Sequence, residues 1–435
     1  MFILCLLLLL LILNWQTVLN TFILFYSFLL LLFSDYHTAF RQLNFTLIDY
    51  FFSAFLCTGF VIITLLSFRK SRLVGAVRNL MPPDVGMLSK FFSSKLSLSS
   101  AFLILLAIAY FFAPLVATSN PEFQKNINVT KLLPPFSSVI QITTINKSEN
   151  DNKPLFFSIK DKVIKNSFND NILFADTVKI ASSLIYYQKG LKQYLPLSVP
   201  FFVNDEYKIE KKLFLLGTDE YGRDIWSRLV YGARVSITIG FLSVLITALL
   251  GIITGFFAGY KGGLTDSFLN RFSEMLLSFP LIFLIILIIA LFGNSVISVI
   301  IVLGFSGWMS LFKIVRTEII SLKGKDYFLT AKLMGLGSTK LIFAEMLPVI
   351  AAPVIVNLVF QFGNVILAES ALSYLGLGTG GVYPSWGSMI QSGQSYLGTA
   401  WWMILFPGFA LFLTLLLTNN LGSSVKYIFN PRLGK

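Results

Sequence analysis

The chain has 435 residues, of which 55% are hydrophobic and only 13% are charged, and its mean hydropathy is +0.77. This composition excludes an ordinary soluble protein and predicts an all-α polytopic membrane protein. The formal charge of +13 comes from Lys and Arg scattered through the polar connections, without the basic stripe of a nucleic-acid-binding protein. Membrane topology therefore explains the charge better than a nucleic-acid partner does.

The cysteine and histidine content limits the possible chemistry. Cys5 and Cys57 both lie in apolar runs, and His37 is the one histidine. The two cysteines therefore indicate neither a disulfide framework nor a cysteine metal site. A multi-histidine metal site is excluded, as is a Ser/His/Asp triad that does not use His37. We predict no catalytic residue and no metal site in this chain, and hence no enzyme.

Residues 1–68 are predicted to form about two membrane spans. Residues 1–33 carry no charged side chain and lack the basic start and small-residue cleavage site of a secretory signal. One tilted crossing or two short apolar segments both fit there, because crossing ~30 Å of hydrocarbon takes about 20 helical residues. Residues 69–98 contain six Lys or Arg against the single acid Asp84, which predicts a cytoplasmic connector.

A first core span is predicted at residues 99–118, and it leads out of the cytoplasm. The following residues, 119–215, are rich in Asn, Lys, Ser and aromatic side chains. Short alternating runs such as residues 137–143 are typical of strands bounded by turns. We therefore predict a small, strand-containing insert outside the membrane.

Five further spans are predicted within residues 216–425. They lie at residues 235–259, 275–293, 295–315, 349–374 and 401–424. The connections near Lys261 and from Lys313 to Lys340 carry many basic side chains, whereas residues 376–399 carry none. The positive-inside rule then places the basic connections and the tail at 426–435 in the cytoplasm.

The segment before residue 235 contains a closely spaced set of glycine and charged residues. These are Gly217, Thr218, Asp219, Gly222, Arg223, Asp224 and Arg228. The set resembles the Gly-Thr-Asp-x-x-Gly-Arg-Asp signature of the second permease subunit of oligopeptide, dipeptide and nickel ABC importers. Thr218 or Asp219 can cap a helix, and the charged side chains can form paired hydrogen bonds. An ion-pair collar without substrate contact and a ligand-contacting motif both remain open.

Residues 325–348 form a polar, basic segment that is predicted to be helix, glycine turn and helix before a Leu-Pro pair. This order resembles the EAA loop of ABC-transporter permeases, although the Glu-Ala-Ala of that loop reads Leu329-Thr330-Ala331 here. The resemblance implies docking to an ATPase subunit, with Asp326 as the candidate for the missing acid. The alternative is an ordinary loop between two spans. The residues assigned to docking are Asp326, Tyr327, Ala331, Lys332, Gly335, Leu347 and Pro348.

The predicted span at 349–374 contains the polar residues Gln361, Asn364 and Glu369. Polar groups in a span are costly and usually face protein or water, so these side chains either line a pathway or bond to neighbouring helices. Gly251, Gly255 and Gly259 recur every four residues in an earlier span, which predicts close helix packing, within the chain or across a subunit interface.

The resemblance covers residues 216–435, and Glu369 to Gly378 and Pro384 to Gly387 also resemble these permeases. It implies the permease fold of a type I ABC importer, here with extra N-terminal spans and an external insert. It further implies a multi-pass protein of the bacterial inner membrane that moves peptides. Its expected partners are a second permease, two ABC ATPase subunits and an extracytoplasmic solute-binding protein. We expect no cofactor in this chain, because ATP and Mg²⁺ would bind the ATPase subunits.

Three other functions were considered. A nickel or other small-solute importer would share the same motifs. A membrane-anchored receptor would use the external insert as its sensing domain. A secondary transporter would show inverted repeats and more charges within its spans, and the sequence shows neither.

Overall fold

The computed structural model describes residues 110, 113–124, 126–145, 172–181, 184–189, 193–196, 206–334, 341–378 and 383–429. The predictions for residues 1–68 and 69–98, for most of the span at 99–118, for Gly335 and for the end of the tail lie outside these ranges. The described part forms two compact units. One contains the described residues up to 236 together with 383–410, and the other contains 237–378 and 411–429.

The insert contains two three-stranded antiparallel sheets, which confirms the strand prediction. Two short helices, α1 (Ala113–Val116) and α2 (Ile127–Thr130), precede them. The strands are β1 (Ser137–Ile145), β2 (Ile172–Ala175), β3 (Thr177–Ala181), β4 (Leu184–Lys189), β5 (Gln193–Pro196) and β6 (Glu206–Phe214). Their order is β2-β1-β6 in one sheet and β3-β4-β5 in the other.

Strand β1 buries side chains on both faces of its sheet. Val139 packs with Val129, Phe174 and Phe214, whereas Ile142 packs on the opposite face with Ala175. Its register with β6 pairs Ser137 with Phe214 at one end. Strand β6 ends at Phe214, shortly before Gly217, so this sheet fixes the position at which the signature segment begins.

The described chain after residue 224 is mainly helical. The helices are α3 (Ile225–Lys261), α4 (Gly263–Ser278), α5 (Leu281–Phe292), α6 (Val296–Lys323), α7 (Asp326–Leu333), α8 (Leu347–Tyr374), α9 (Trp386–Gly393) and α10 (Trp402–Phe429). Within the described residues, α3, α6, α8 and α10 are each long and apolar enough to cross a membrane. This confirms the predicted class of helical, polytopic membrane protein.

The predicted span at 275–293 is wrong as a single helix. Helices α4 and α5 meet at Phe279 and Pro280 with a 90° bend between them. Proline has no N–H to donate and disfavours a helical conformation in the residue before it, so the helix ends there. Helix α5 has 12 residues, about 18 Å, which is too short to cross ~30 Å alone. The pair counts as a fifth span only if it is taken together.

Helix α3 starts at Ile225, ten residues before the predicted span at 235. With 37 residues it is about 55 Å long, so it extends well beyond the hydrocarbon layer. The signature segment leads directly into this extension.

Small residues bring α3 and α6 together within the chain. A Cβ atom at Gly251 would lie 2.8 Å from Cβ of Leu311, and one at Gly255 would lie 2.8 Å from the carbonyl oxygen of Phe312. A Cβ at Gly259 would meet Ile319 at 2.9 Å. Of the two interpretations of this glycine repeat, the structure shows packing within the chain.

The major helices differ in how much surface they leave open. In the most apolar stretch of α6, 61% of the residues are buried inside the structure, compared with 28% in α8. Helix α6 is therefore packed mainly against its own chain, whereas α8 has surface available for lipid, solute or another subunit.

Candidate functional site

The signature segment forms a tight turn before α3. Gly217 and Gly222 have φ values of +79° and +74°, in the left-handed region that favours glycine. The N–H of Asp219 donates to the carbonyl oxygen of Arg223 over 3.1 Å, and the N–H of Gly222 donates to that of Asp219 over 3.0 Å. The two glycines are thus required by the shape of the turn.

Asp219 holds the turn together with its carboxylate. Oδ1 accepts from the backbone N–H groups of Tyr221 and Arg223 at 2.9 and 2.8 Å, and Oδ2 accepts from Nε of Arg223 at 2.7 Å. Nε of Arg228 lies 3.7 Å from the same oxygen. Asp219, Arg223 and Arg228 are all buried, so these charges are neutralised inside the protein.

Glu122 completes this group, and the sequence reasoning missed it. Its carboxylate accepts from Nη1 of Arg223 and from Nη1 of Arg228, each at 2.9 Å. Glu122 lies 101 residues before Arg223, so no local pattern linked them. Its position just after the predicted span at 99–118 was the only available signal. We call Glu122, Asp219, Arg223 and Arg228 the ion-pair cluster.

The helix cap predicted at Thr218 or Asp219 is wrong, because Asp224 caps α3. Its Oδ2 accepts from N and Oγ of Ser227 at 3.3 and 2.6 Å, as a residue just before a helix can do. Thr218 instead accepts from the backbone N–H of Leu133 over 2.8 Å and donates to the carbonyl oxygen of Thr130. Asp219 is unavailable because its carboxylate closes the turn.

The electrostatics of the turn follow from burial and pairing. Burial alone would lower the pKa of the Arg223 guanidinium, but Asp219 and Glu122 together hold that pKa above its ordinary value. Burial raises the pKa of the Glu220 carboxyl. Glu220 lies beside the ion-pair cluster, and its buried Oε2 has no hydrogen-bond partner among the described residues.

The predicted docking helix is present as α7, with Asp326 in its first turn. Phe328 and Ala331 are buried in a core with Leu322 of α6 and Ile350 of α8. Tyr327 and Leu329 are 44% and 46% exposed, and Leu333 is 88% exposed. One side of α7 is therefore fixed to α6 and α8, and the other side exposes several apolar side chains together with Asp326 and Thr330. We call the exposed Leu329, Leu333 and Met334 the α7 face.

The chain enters α8 through a π-helical segment, Leu341–Met346, which continues without interruption into Leu347 and Pro348. Pro348 has no N–H to donate to the preceding turn, and it lies where the π-helical segment gives way to α8. Leu341 and Met346 are buried in the same core as Phe328. The end of α6, α7, the π-helical segment and the start of α8 therefore share one core.

Gln361 and Asn364 of α8 line one cavity of about 440 Å³. The other walls come from α6 and from the break between α4 and α5. Glu369 is not among the lining residues; it is fully buried, and Ser373 donates to its Oε1 over 2.7 Å. The structure thus separates Glu369 from the other two predicted pathway residues.

The chain resembles known proteins over its second half. Residues 251–435 match the family described as binding-protein-dependent transport system inner membrane component. Over 217 residues the chain is 36% identical to the dipeptide transport system permease protein DppC of Alkalihalophilus pseudofirmus, covering 50% of this chain and 71% of that protein.

Two further relatives show the same coverage. The chain is 40% identical over 219 residues to a putative peptide transport system permease protein of Brucella suis, covering 50% of this chain and 74% of the relative. It is 36% identical over 216 residues to the oligopeptide transport system permease protein OppC of Haemophilus influenzae, covering 50% and 70%. The similarity therefore extends over most of each relative's length.

Proposed function

The chain belongs to the family of binding-protein-dependent inner-membrane transport components, and from this premise we propose that it is a peptide permease of an ATP-driven importer. The observation that carries the proposal is its 36–40% identity to permeases named for dipeptide, oligopeptide or peptide transport. Those names favour peptides over nickel as the solute. The family is one of transporter subunits, so the chain itself is not an enzyme.

The ATPase partner would dock on the α7 face. Leu333 at the end of α7 and Met334 just after it are 88% and 71% exposed, and they form apolar surface that a protein partner would cover. Buried Phe328 and Ala331 fix the helix to α6 and α8, so it can transmit force as a rigid element. Two ATPase subunits, one for each permease of a pair, would supply ATP hydrolysis.

Asp326 would supply the charged part of this contact. It is exposed and lies in the first turn of α7, whereas Leu329 is apolar. We expect Asp326→Asn to weaken association with the ATPase subunit severalfold, because an exposed ion pair contributes less than about 1 kcal/mol. Unchanged association in a pull-down titration would remove Asp326 from the contact.

A second permease would pair with this chain, and a solute-binding protein would deliver the peptide from outside. The low burial of α8, at 28%, supports surface left for another subunit and for the solute. The ion-pair cluster supports a structural role for the signature segment, since its charges already bond to one another. The ion-pair cluster would hold the outer end of α3 in place while the transport pathway changes conformation.

The test is transport by the complete complex. The chain would be purified with the subunits that accompany it and reconstituted in proteoliposomes with the solute-binding protein. We expect ATP-dependent uptake of peptides from a mixed pool, measured by mass spectrometry of the vesicle contents. Uptake of Ni²⁺ without uptake of any peptide would contradict the proposal.

A further inference from the structure

We propose that the cavity beside Gln361 and Asn364 contacts the main chain of the passing peptide, and that its neutral lining makes passage independent of peptide charge. This inference rests on the proposed function. We call this site the α8 cavity. Its volume of about 440 Å³ is within the ~300–1,000 Å³ typical of sites for small ligands.

The polar wall of the α8 cavity consists of Ser306, Ser310, Gln361 and Asn364. The carboxamide groups of Gln361 and Asn364 can both donate and accept hydrogen bonds. The Ser306 hydroxyl already donates to the carbonyl oxygen of Leu303 over 2.7 Å, so it offers the peptide an acceptor. A peptide main chain offers one donor and one acceptor at every residue except proline. This wall can therefore pair with any stretch of peptide, whatever its side chains are.

The remaining wall is apolar and irregular. Phe279 and Pro280 of the α4–α5 break face the site together with Phe305 and Leu284. Apolar contact is not directional, so it can accept side chains of different shapes. The combination of a neutral polar wall and an apolar wall suits a solute with a constant backbone and variable side chains.

Charge is absent from the residues described as lining the α8 cavity. A fixed charge in a site of low dielectric would attract solutes of one sign and repel those of the other, because charges interact more strongly there than in water. A neutral lining avoids that selection. Discrimination by charge would then occur before the peptide reaches this chain.

Gly307 of α6 makes room for the side chain of Gln361. A Cβ atom at Gly307 would collide with Nε2 of Gln361 and lie 2.6 Å from Oγ1 of Thr247. Thr247 is itself fixed, since its hydroxyl donates to the carbonyl oxygen of Gly304 over 2.9 Å. The carboxamide of Gln361 can therefore lie against α6 only because residue 307 has no side chain.

The test adds a charge to the site and measures the selectivity that results. Reconstituted complexes carrying Asn364→Asp or Asn364→Lys would be given three peptides of equal length that differ by Glu, Ala or Lys at one position. Uptake would be normalised to the affinity of each peptide for the solute-binding protein. The matched control is the same pair of substitutions at Asn419, which is exposed on α10 and does not line the cavity.

We expect wild-type complexes to transport the three peptides at rates within about twofold of each other. Asn364→Asp should slow the Glu peptide at least ~5-fold relative to the Lys peptide, about 1 kcal/mol, and Asn364→Lys should reverse this order. The Asn419 variants should show no charge preference. Equal rates for all three peptides in both Asn364 variants would overturn the inference, whether those rates are normal or uniformly reduced.

A second measurement covers variants that fail to assemble. With Cys5 and Cys57 replaced by Ser, Asn364→Cys would be treated with a charged, thiol-specific methanethiosulfonate reagent. The inference is supported if the reagent labels the introduced thiol and if peptide-loaded binding protein slows this labelling during turnover. It is overturned if the reagent cannot label the thiol at all. Failure of the proposed function would give a separate result, because the wild-type complex itself would take up no peptide.

Discussion

The ion-pair cluster and the α7 face use their side chains in opposite ways. In the cluster, Glu122, Asp219 and the two arginines bond to one another in a mostly buried group. On α7, Leu333 and Met334 remain largely exposed to the surroundings. A motif rich in charge can thus bond entirely within its own chain, whereas a weakly matching motif can leave apolar side chains exposed.

The largest expected effect comes from breaking the ion-pair cluster. Asp219→Ala leaves two buried arginines with only the partly exposed Glu122, and losing one partner of a buried ion pair costs about 3–5 kcal/mol. We expect a marked loss of thermal stability of the purified protein in detergent. Glu220→Ala is the matched control, because Glu220 is adjacent but makes no ion pair within the cluster. Equal losses of thermal stability in both variants would contradict a stabilising role for the ion-pair cluster.

The second largest effect is expected from a substitution that changes the shape of the same turn. Gly222→Ala places a side chain at φ +74° and against the side chain of Thr130, for which we expect a loss of about 1–3 kcal/mol. Gly262 has φ +67° with nothing within 4 Å of a Cβ atom, so Gly262→Ala shows backbone strain alone. The difference in unfolding free energy between the two variants gives the contribution of the contact with Thr130. No difference would mean that the contact is easily relieved.

The third prediction concerns the α7 face. Leu333→Asp should leave the stability of the isolated permease unchanged, because the side chain is 88% exposed. It should weaken association with the ATPase subunit by ~10-fold or more, as expected for an apolar anchor at an interface. Leu397→Asp is the control, since Leu397 is also exposed, at 59%, but lies in a predicted external loop. Association would be measured by surface plasmon resonance, and a loss of stability without a loss of association would contradict the assignment.

The smallest effect depends on pH. Burial raises the pKa of Glu220 above 4.5, so its ionised form is disfavoured in the folded protein. The folded protein therefore has its full stability with respect to Glu220 below pH 4.5, where the carboxyl is protonated. That stability is lost as the pH rises through the folded-state pKa and the carboxyl ionises. We expect Glu220→Gln to be more stable than the wild type at pH 8, by less than about 1 kcal/mol because Glu220 is only half-buried. This advantage should shrink as the pH falls toward 4.5, and an advantage that grows would contradict it.

Local patterns in the sequence predicted the local structure well. The alternation at residues 137–143 gave strand β1, and the acidic start at Asp326 gave α7. Both depend on interactions between residues that are close along the chain. Pro280 marks the break between α4 and α5 in the sequence, but the apolar run on both sides of it is typical of a single span.

Contacts between distant residues could not be predicted. Glu122 meets Arg223 across 101 residues, and no pattern in one sequence specifies that pairing. The role of Gly307 depends on where Gln361 of another helix lies, so it emerges only from the packed structure. Glu369 looked like a third pathway residue, but its carboxylate is buried and accepts from Ser373 one turn later.

The break between α4 and α5 has a consequence for hydration. Helix α5 begins after Pro280, which has no side-chain oxygen to cap the free N–H groups of its first turn. Hydrocarbon cannot satisfy such groups, so interrupted helices are tolerated at membrane depth only where protein or water surrounds them. The α8 cavity lies against this break. Water in the cavity can therefore bond to these groups, and a peptide that enters the cavity would displace that water.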